Sequence, residues 1–424
     1  MPALYSAGVG LYHLAVRCAA LWNPKAKALV RGREGLWTRL EAKREALRGC
    51  LWMHCASVGE FEQGRPVLEV IKAQRPDVPV LLTFFSPSGH EARKDYPLAT
   101  HVDYLPPDSA ANARRLVELI APRASMFVKY EFWYHHLHAL KAKGVPTFLV
   151  SAIFREGQPF FKWYGGAWRS MLACYTRIFA QDEASKDLLT GIGITNVSVS
   201  GDTRFDRVLA IAAADEVLPE AERFRASGKG AVLLCGSTWP ADDDLIREAC
   251  EAHSGLRPRF IVAPHELSPQ GLGTLRAKYP SRYNNWSDAH TLDDPKALIV
   301  DRMGLLARLY KYGDIAYVGG GFGDGIHSLL EAAAWGKPVI FGPKHTKFAE
   351  AKGLIDAGGG FEVRSAEELR AVLDRLLGHK DALAKASEAA RKYVRDRVGA
   401  TERTVRDMLA MIPWRDRSII DPEP

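Results

Sequence analysis

From residue 50 onward, short apolar runs rich in β-branched and aromatic residues alternate with longer stretches of helical period. The first series of runs covers 51–56, 78–85, 124–128, 146–152, 177–181 and 196–201. Helix-like stretches such as FEQGRPVLEVIKAQ and SAANARRLVELIA lie between them. A second series covers 231–237, 259–265, 297–301, 314–320, 337–343 and 359–363, after a polar, Ala/Glu-rich segment at 207–229. Near-continuous apolar strands separated by helices imply parallel sheets covered on both faces.

Two such series predict an α/β protein with two Rossmann-like domains facing across a cleft. Their expected extents are 36–206 and 230–424, with 207–229 as linker and helices closing the second domain. Ligands in open sheets of this kind sit at the carboxyl ends of the strands, so the chemistry is sought in the strand-to-helix turns.

Ahead of the first strand the pattern differs. Residues 3–22, ALYSAGVGLYHLAVRCAALW, are mostly apolar but carry His13 and Arg17. Lys25, Lys27, Arg31, Arg33, Arg39, Lys43, Arg44 and Arg48 follow closely and hold much of the net charge of +7. Two polar groups and several small residues make a poor membrane span. Basic residues after the apolar run rather than before it do not fit a cleaved signal peptide. The pattern predicts an interfacial or marginally inserted anchor over 1–35, its flank against an anionic membrane surface. The alternative is an amphipathic helix packed on the protein itself. With no interleaved aromatic platform, the basic run does not read as a nucleic-acid site.

A length of 424 residues is too long for one ordinary core, and 47% hydrophobic with 25% charged residues is an ordinary folded composition. The six cysteines are scattered without CxxC or Cys/His spacing, which argues for buried thiols and against a zinc site.

Several turns carry candidate chemistry. In MHCASVGEFEQG (53–64), Ser57 and Glu60 have the spacing of a capping box, so Glu60 is either a helix cap or a reactive carboxylate. In YVGGGFGDGIHSLLEAAA, glycines that include Gly320 and Gly321 lead from a strand toward a helix start, either a phosphate-binding turn or simply a tight one. Glu331 there suits the hydroxyls of a ribose or the helix dipole. Ser237 and Thr238, in CGSTWPADDD, suit N-capping or phosphate contact. His265 ends another strand. Lys129 and Glu131 sit among aromatics in FVKYEFWYHH, and Arg204 in GDTRFDRV is placed to meet an anion.

Taken in order, SVGE, SPSG, YLPPD, EFW, GDTRFD, GST, MGLL, YVGGGF, IHSLLEAAA and FGP resemble the 3-deoxy-D-manno-octulosonic acid (Kdo) transferases over nearly the whole chain. The resemblance implies the GT-B glycosyltransferase fold and inverting transfer of Kdo from CMP-Kdo to a hydroxyl of lipid A precursor. It implies no metal or other cofactor, and a place at the cytoplasmic face of the bacterial inner membrane.

Glu60 then matches the general base, and Arg204 stands where the family commonly has a lysine that stabilises the transition state. The family's Glu-x-Glu-Leu-Trp is here Lys129 to Trp133, so either Lys129 or Glu131 takes the role of its first glutamate. The implied donor site comprises Ser237, Thr238, Pro264, His265, Gly304, Leu305, Leu306, Gly320, Gly321, Ser328, Leu329, Leu330 and Glu331. Pro264 replaces the arginine of Pro-Arg-His, and Leu305 the glutamate of Gly-Glu-Leu. Arg155, Lys162 and Arg169, near Trp163, Tyr164 and Trp168, are expected on the acceptor side. The rival readings are another GT-B nucleotide-sugar transferase or epimerase, and a membrane-associated nucleotide-binding protein that has lost catalysis.

Overall fold

The computed structural model describes residues 2–251, 258–279, 283–288 and 295–414. The chain forms two compact units, Met1–Asp206 with Val398–Pro424, and Arg207–Arg397.

The first unit holds β1 (Leu51–Cys55), β2 (Val80–Phe84), β3 (His101–Tyr104), β4 (Ala124–Val128), β5 (Thr147–Ala152), β6 (Arg177–Ala180) and β7 (Val197–Val199). They form one sheet in the order β3-β2-β1-β4-β5-β6-β7. All its pairings are parallel. Every residue of β1, β2 and β4 is buried, because helices cover both faces of the sheet. After β3 the chain returns to the other side of β1. The switch point between β1 and β4 opens a crevice at their carboxyl ends.

The apolar pattern misses β3 because HVDY is polar. Its Asp103 is fully buried and accepts from Arg39 Nε at 2.9 Å and Nη2 at 2.7 Å. Arg39 is therefore a structural partner of the sheet edge and not part of a basic flank.

The N-terminal run forms the helix Pro2–Ala19. Tyr5 donates to Asp108 Oδ2 at 2.6 Å, and Ser6 Oγ lies 2.8 Å from His135 Nε2, so one face is docked on the unit. Asp108 also accepts the amides of His135 and His136, capping the helix Tyr134–Ala142 from outside its own segment. Leu4, Leu11 and Leu14 nonetheless stand 76%, 69% and 58% exposed, and Leu21 and Trp22 more than 70%. Among the described residues, no helix is long and apolar enough to cross a membrane.

The last helix, Ala400–Met411, belongs to this first unit and not to the second as its position in sequence suggested. Val405 and Met408 enter the core beside the helix Val58–Gln74. Asp206 accepts from the amides of Gly399 and Thr401, at 2.5 and 2.7 Å.

The second unit holds β8 (Val232–Thr238), β9 (Arg259–Pro264), β10 (Tyr283–Asn285), β11 (Ala297–Ile299), β12 (Ile315–Val318), β13 (Val339–Phe341) and β14 (Gly360–Glu362). Their order is β10-β11-β9-β8-β12-β13-β14, with its switch point between β8 and β12. The polar edge strand Tyr-Asn-Asn, β10, has no apolar signature. Segment 207–229 is not a free linker. The helix Pro219–Ala226 buries Ala221 and Phe224, and Arg225 pairs with Asp314 at the start of β12.

Candidate active site

In the first unit, β1 runs into Ala56-Ser57-Val58-Gly59-Glu60, and the helix Val58–Gln74 begins there. Ser57 stands in the extended N-cap conformation, but its side chain does not cap the helix. Its hydroxyl donates instead to the Glu60 carboxylate. The expected capping box is thus turned on itself: serine and glutamate bind each other, and the half-buried carboxylate is positioned rather than spent on backbone amides. The amides of Phe85 and Ser86 donate to Cys55 O at 3.3 Å and Ala56 O at 2.8 Å, tying the turn after β2 to the Glu60 turn.

Across the switch point, β4 is followed by Lys129, whose φ of +67° is strained for a residue with a side chain. The chain reverses there and sends Glu131 inward. Its Oε2 accepts from Trp133 Nε1 at 2.6 Å and lies 2.9 Å from His54 Nε2 of β1, off the line of a hydrogen bond. Nδ1 of the same imidazole lies 3.1 Å from Thr83 O and 2.9 Å from Thr83 Oγ1. Only 5% exposed, Glu131 is built into the sheet end. Of the two alternatives for the first glutamate's role, Lys129 is the one at the surface of the turn, its Nζ 5.3 Å from the ring centre of Tyr130.

Tyr130 follows Lys129 on the same turn and is half-buried. Its hydroxyl is shifted upward, first by burial, and the charges of Arg155, Glu60, Arg204 and Asp182 act on it in that order. Glu60 and Arg204, 144 positions apart in sequence, thus both act electrostatically on that hydroxyl, the first raising and the second lowering its pKa. Asp202 clasps Arg204, accepting from Nε at 2.8 Å and Nη2 at 2.7 Å, which fixes the guanidinium. Arg169 donates to Phe160 O and Lys162 O and stitches its own loop.

In the second unit, the turns after β8, β9 and β12 meet. Asp242, 1% exposed, accepts from Trp239 N, Gly320 N and Tyr317 Oη, each at 2.9 Å. The Gly320 amide is therefore engaged inside the protein and not offered to a phosphate. The glycines serve close approach: a Cβ on Gly319 would lie 2.4 Å from Ser237 O, and one on Gly321 2.5 Å from Gly342 Cα. Ser237, at φ +52°, and the buried Thr238 border this knot.

The ring of Trp239 stacks on His265 at 4.4 Å, and His265 on His327 at 4.6 Å. Pro264 ends β9 immediately before that stack. The helix of the last motif starts at Leu330, later than the sequence suggested, so Glu331 lies in its first turn. Leu329 and Leu330 are fully buried, so of these two only the backbone can meet a ligand, while Ser328 is half-buried. Glu331 acts electrostatically on Tyr310, whose hydroxyl and Leu306 leave no room for a Cβ on Gly236. Gly304, at φ +84°, and Leu305 precede this contact.

Tyr130, Asp242, Trp239, His327 and His54 were not singled out by sequence. Asp242 alone had a local signal, standing three residues after Trp239 at a helix start.

Burial pushes the neighbouring Asp243 carboxyl up to about 6. Tyr279, which donates to it at 3.0 Å, pulls the other way. Thr238 does the same from an Oγ1 that does not meet hydrogen-bond geometry. The folded value lies above the unfolded one, so this contribution to stability is complete below about pH 4 and lost as pH rises through 6. Asp243→Asn is expected to stabilise the second unit by up to about 3 kcal/mol at pH 7.5 and by almost nothing at pH 4. Native-state hydrogen exchange in the second unit at the two pH values measures the difference.

Two parallel sheets, each with polar turns gathered at the carboxyl ends of its switch-point strands, define the GT-B glycosyltransferase fold. UDP-GlcNAc 2-epimerase from Neisseria meningitidis superposes with a TM-score of 0.60 at 15% identity, covering 85% of this chain and 99% of that one. Residues 30–207 match the family described as Glycos_transf_N, 3-deoxy-D-manno-octulosonic-acid transferase (kdotransferase). The 3-deoxy-D-manno-octulosonic acid transferase of Bordetella pertussis is 30% identical over 94% of this chain and 98% of its own. That of Aquifex aeolicus is 28% identical over 80% and 89%. The chain belongs to the Kdo transferase family and is a glycosyltransferase.

Proposed function

We propose that the protein transfers Kdo from CMP-Kdo to a hydroxyl of lipid A precursor, with inversion at the anomeric carbon. The observation that carries this reading is the Glu60 carboxylate, held by Ser57 in the turn at the carboxyl end of β1. Glu60 takes the proton of the attacking hydroxyl. Arg204, oriented by Asp202, offsets charge on the donor as CMP leaves. Lys129 adds a second cation at the same turn.

In the second unit the nucleotide is assigned to the turns of Ser237, Thr238, Pro264, His265, Gly304 to Leu306, Gly321 and Ser328 to Glu331. Glu331 accepts the ribose hydroxyls, and the rings of Trp239 and His265 are available for stacking. Among the described residues no group of three or more His, Cys, Asp and Glu could hold a metal, and none is assigned a role. Purified protein with CMP-Kdo and a tetraacylated lipid A precursor, followed by mass analysis, tests the reading. An unmodified acceptor overturns it.

The exposed apolar face of the Pro2–Ala19 helix, with the basic residues that follow, supports an interfacial anchor on the anionic cytoplasmic leaflet of the inner membrane. Leu11→Glu combined with Leu14→Glu removes two side chains that the fold does not bury. Co-sedimentation with phosphatidylglycerol-containing vesicles is expected to fall at least about tenfold. Unchanged sedimentation would sink the anchor.

A further inference from the structure

Between the Pro2–Ala19 helix and the carboxyl end of the first sheet lies a cavity of about 550 Å³. Its walls are almost entirely apolar, among them Leu4, Val9, Tyr12, Phe85, Trp133 and Trp168. That volume is in the range, roughly 300–1,000 Å³, of pockets that enclose small ligands.

Arg33 also lines this cavity. Among the described residues its guanidinium has no ion-pair or hydrogen-bond partner, and its Nε is buried and unsatisfied. It lies 5.3 Å over the Phe85 ring. Burial lowers its pKa to about 10, and only Tyr12 and Tyr104 oppose that shift. His13 lines the same space, its pKa lowered by burial and then by the charges of Arg33 and Arg17. The carboxylate on the wall, Asp108, is already committed to Tyr5 and to the amides of His135 and His136.

A half-buried guanidinium whose Nε is sealed from water without an acceptor is costly to keep charged. Such a group is kept where the counter-ion arrives with a ligand. A fatty chain alone has no use for a guanidinium, and a free phosphate has no use for an apolar cavity. Together they fit an amphiphile whose anionic group lies beside an acyl chain.

The cavity also adjoins the reacting turn. Its wall residue Phe85 donates to Cys55 O, one residue before the Ala56–Glu60 turn, and its wall residue Trp133 donates to Glu131. We propose that this cavity takes one acyl chain of the acceptor, with a phosphate of the same molecule on Arg33. The inference rests on the lipid-acceptor reading above and deepens it. The N-terminal helix then forms a wall of the acceptor site as well as an anchor, and acylation becomes a specificity determinant.

Gly8 gives the test, because it lines the cavity and a Cβ there meets nothing within 4 Å. Gly8→Leu adds bulk at that open position, and Gly8→Ala is the size control. With tetraacylated, bisphosphorylated precursor in detergent micelles, Gly8→Leu is expected to raise KM at least about tenfold. The KM for CMP-Kdo and the rate on the deacylated disaccharide should stay within twofold of wild type, as should all constants of Gly8→Ala. Arg33→Met is expected to raise KM for both phosphorylated acceptors by a similar factor and to leave a dephosphorylated one unchanged.

Quenching of tryptophan fluorescence by a precursor with brominated chains reads binding without turnover, and Gly8→Leu should abolish it. Quenching that persists unchanged in Gly8→Leu, with KM unaltered in both variants, overturns the inference. So does a Gly8→Leu variant that loses vesicle binding alone, which assigns the cavity to a bilayer phospholipid. A wild-type protein that makes no product but shows quenching lost in Gly8→Leu overturns the transfer reaction and upholds the chain site.

Discussion

Glu60→Gln is expected to lower turnover by a factor of about 10² to 10⁴, the usual contribution of a general base. CMP binding and the folded state should be unaffected. The amide is nearly isosteric and still accepts the Ser57 hydroxyl, which now donates to the carboxylate. What it loses is the ability to take a proton from the attacking hydroxyl. A helix cap would behave in the opposite way. Its loss would show as reduced stability with turnover per folded molecule intact, and Ser57 makes no cap bond to the helix in any case. Kdo transfer under saturating CMP-Kdo, with circular dichroism and CMP titration of the same preparation, separates the two. Turnover near wild type would remove Glu60 from the chemistry. Ser57→Ala should cost less than Glu60→Gln, because it loosens the carboxylate without removing it.

The parts of the fold legible in sequence are those whose burial is uniform. β1, β2, β4 and β12 are buried at every position, so their apolar runs stand out against the helical stretches around them. β3 and β10 escaped because what stabilises them is polar: Asp103 gripped by Arg39 in one, an Asn-rich edge in the other. The destination of the last helix was not legible either. It is fixed by long-range contacts, the amides of Gly399 and Thr401 on Asp206, for which a local pattern carries no signal.

The same division runs through the site. Residues such as Glu60, Ser237 and Gly321 could be placed on strand-to-helix turns because such turns have recognisable spacing. Which way a side chain points from such a turn was not found. Glu131 faces inward to His54, and the Gly320 amide is taken by Asp242, through contacts between strands distant in sequence. The motif locates the turn, and tertiary packing decides which of its groups remain available to a ligand.

Asp242 carries the second large expectation. Its two oxygens hold three buried donors, the Trp239 amide after β8, the Gly320 amide after β12, and the Tyr317 hydroxyl between them. Asp242→Ala strands all three, and the second unit is expected to lose about 3 to 5 kcal/mol, since each hydrogen bond to a charged group contributes about 1.5–3 kcal/mol and the losses overlap. Asp242→Asn keeps one acceptor and should lose less. Unfolding is not expected to be a single transition in a two-unit chain, so native-state hydrogen exchange in β8 and β12 is the proper measure. The knot also sets where Ser237, Trp239 and Gly321 stand, so CMP affinity in the folded fraction should fall at least about tenfold in the alanine variant. A destabilised variant that binds CMP normally would confine Asp242 to architecture. Unchanged exchange in both strands would show that the two turns hold together without it.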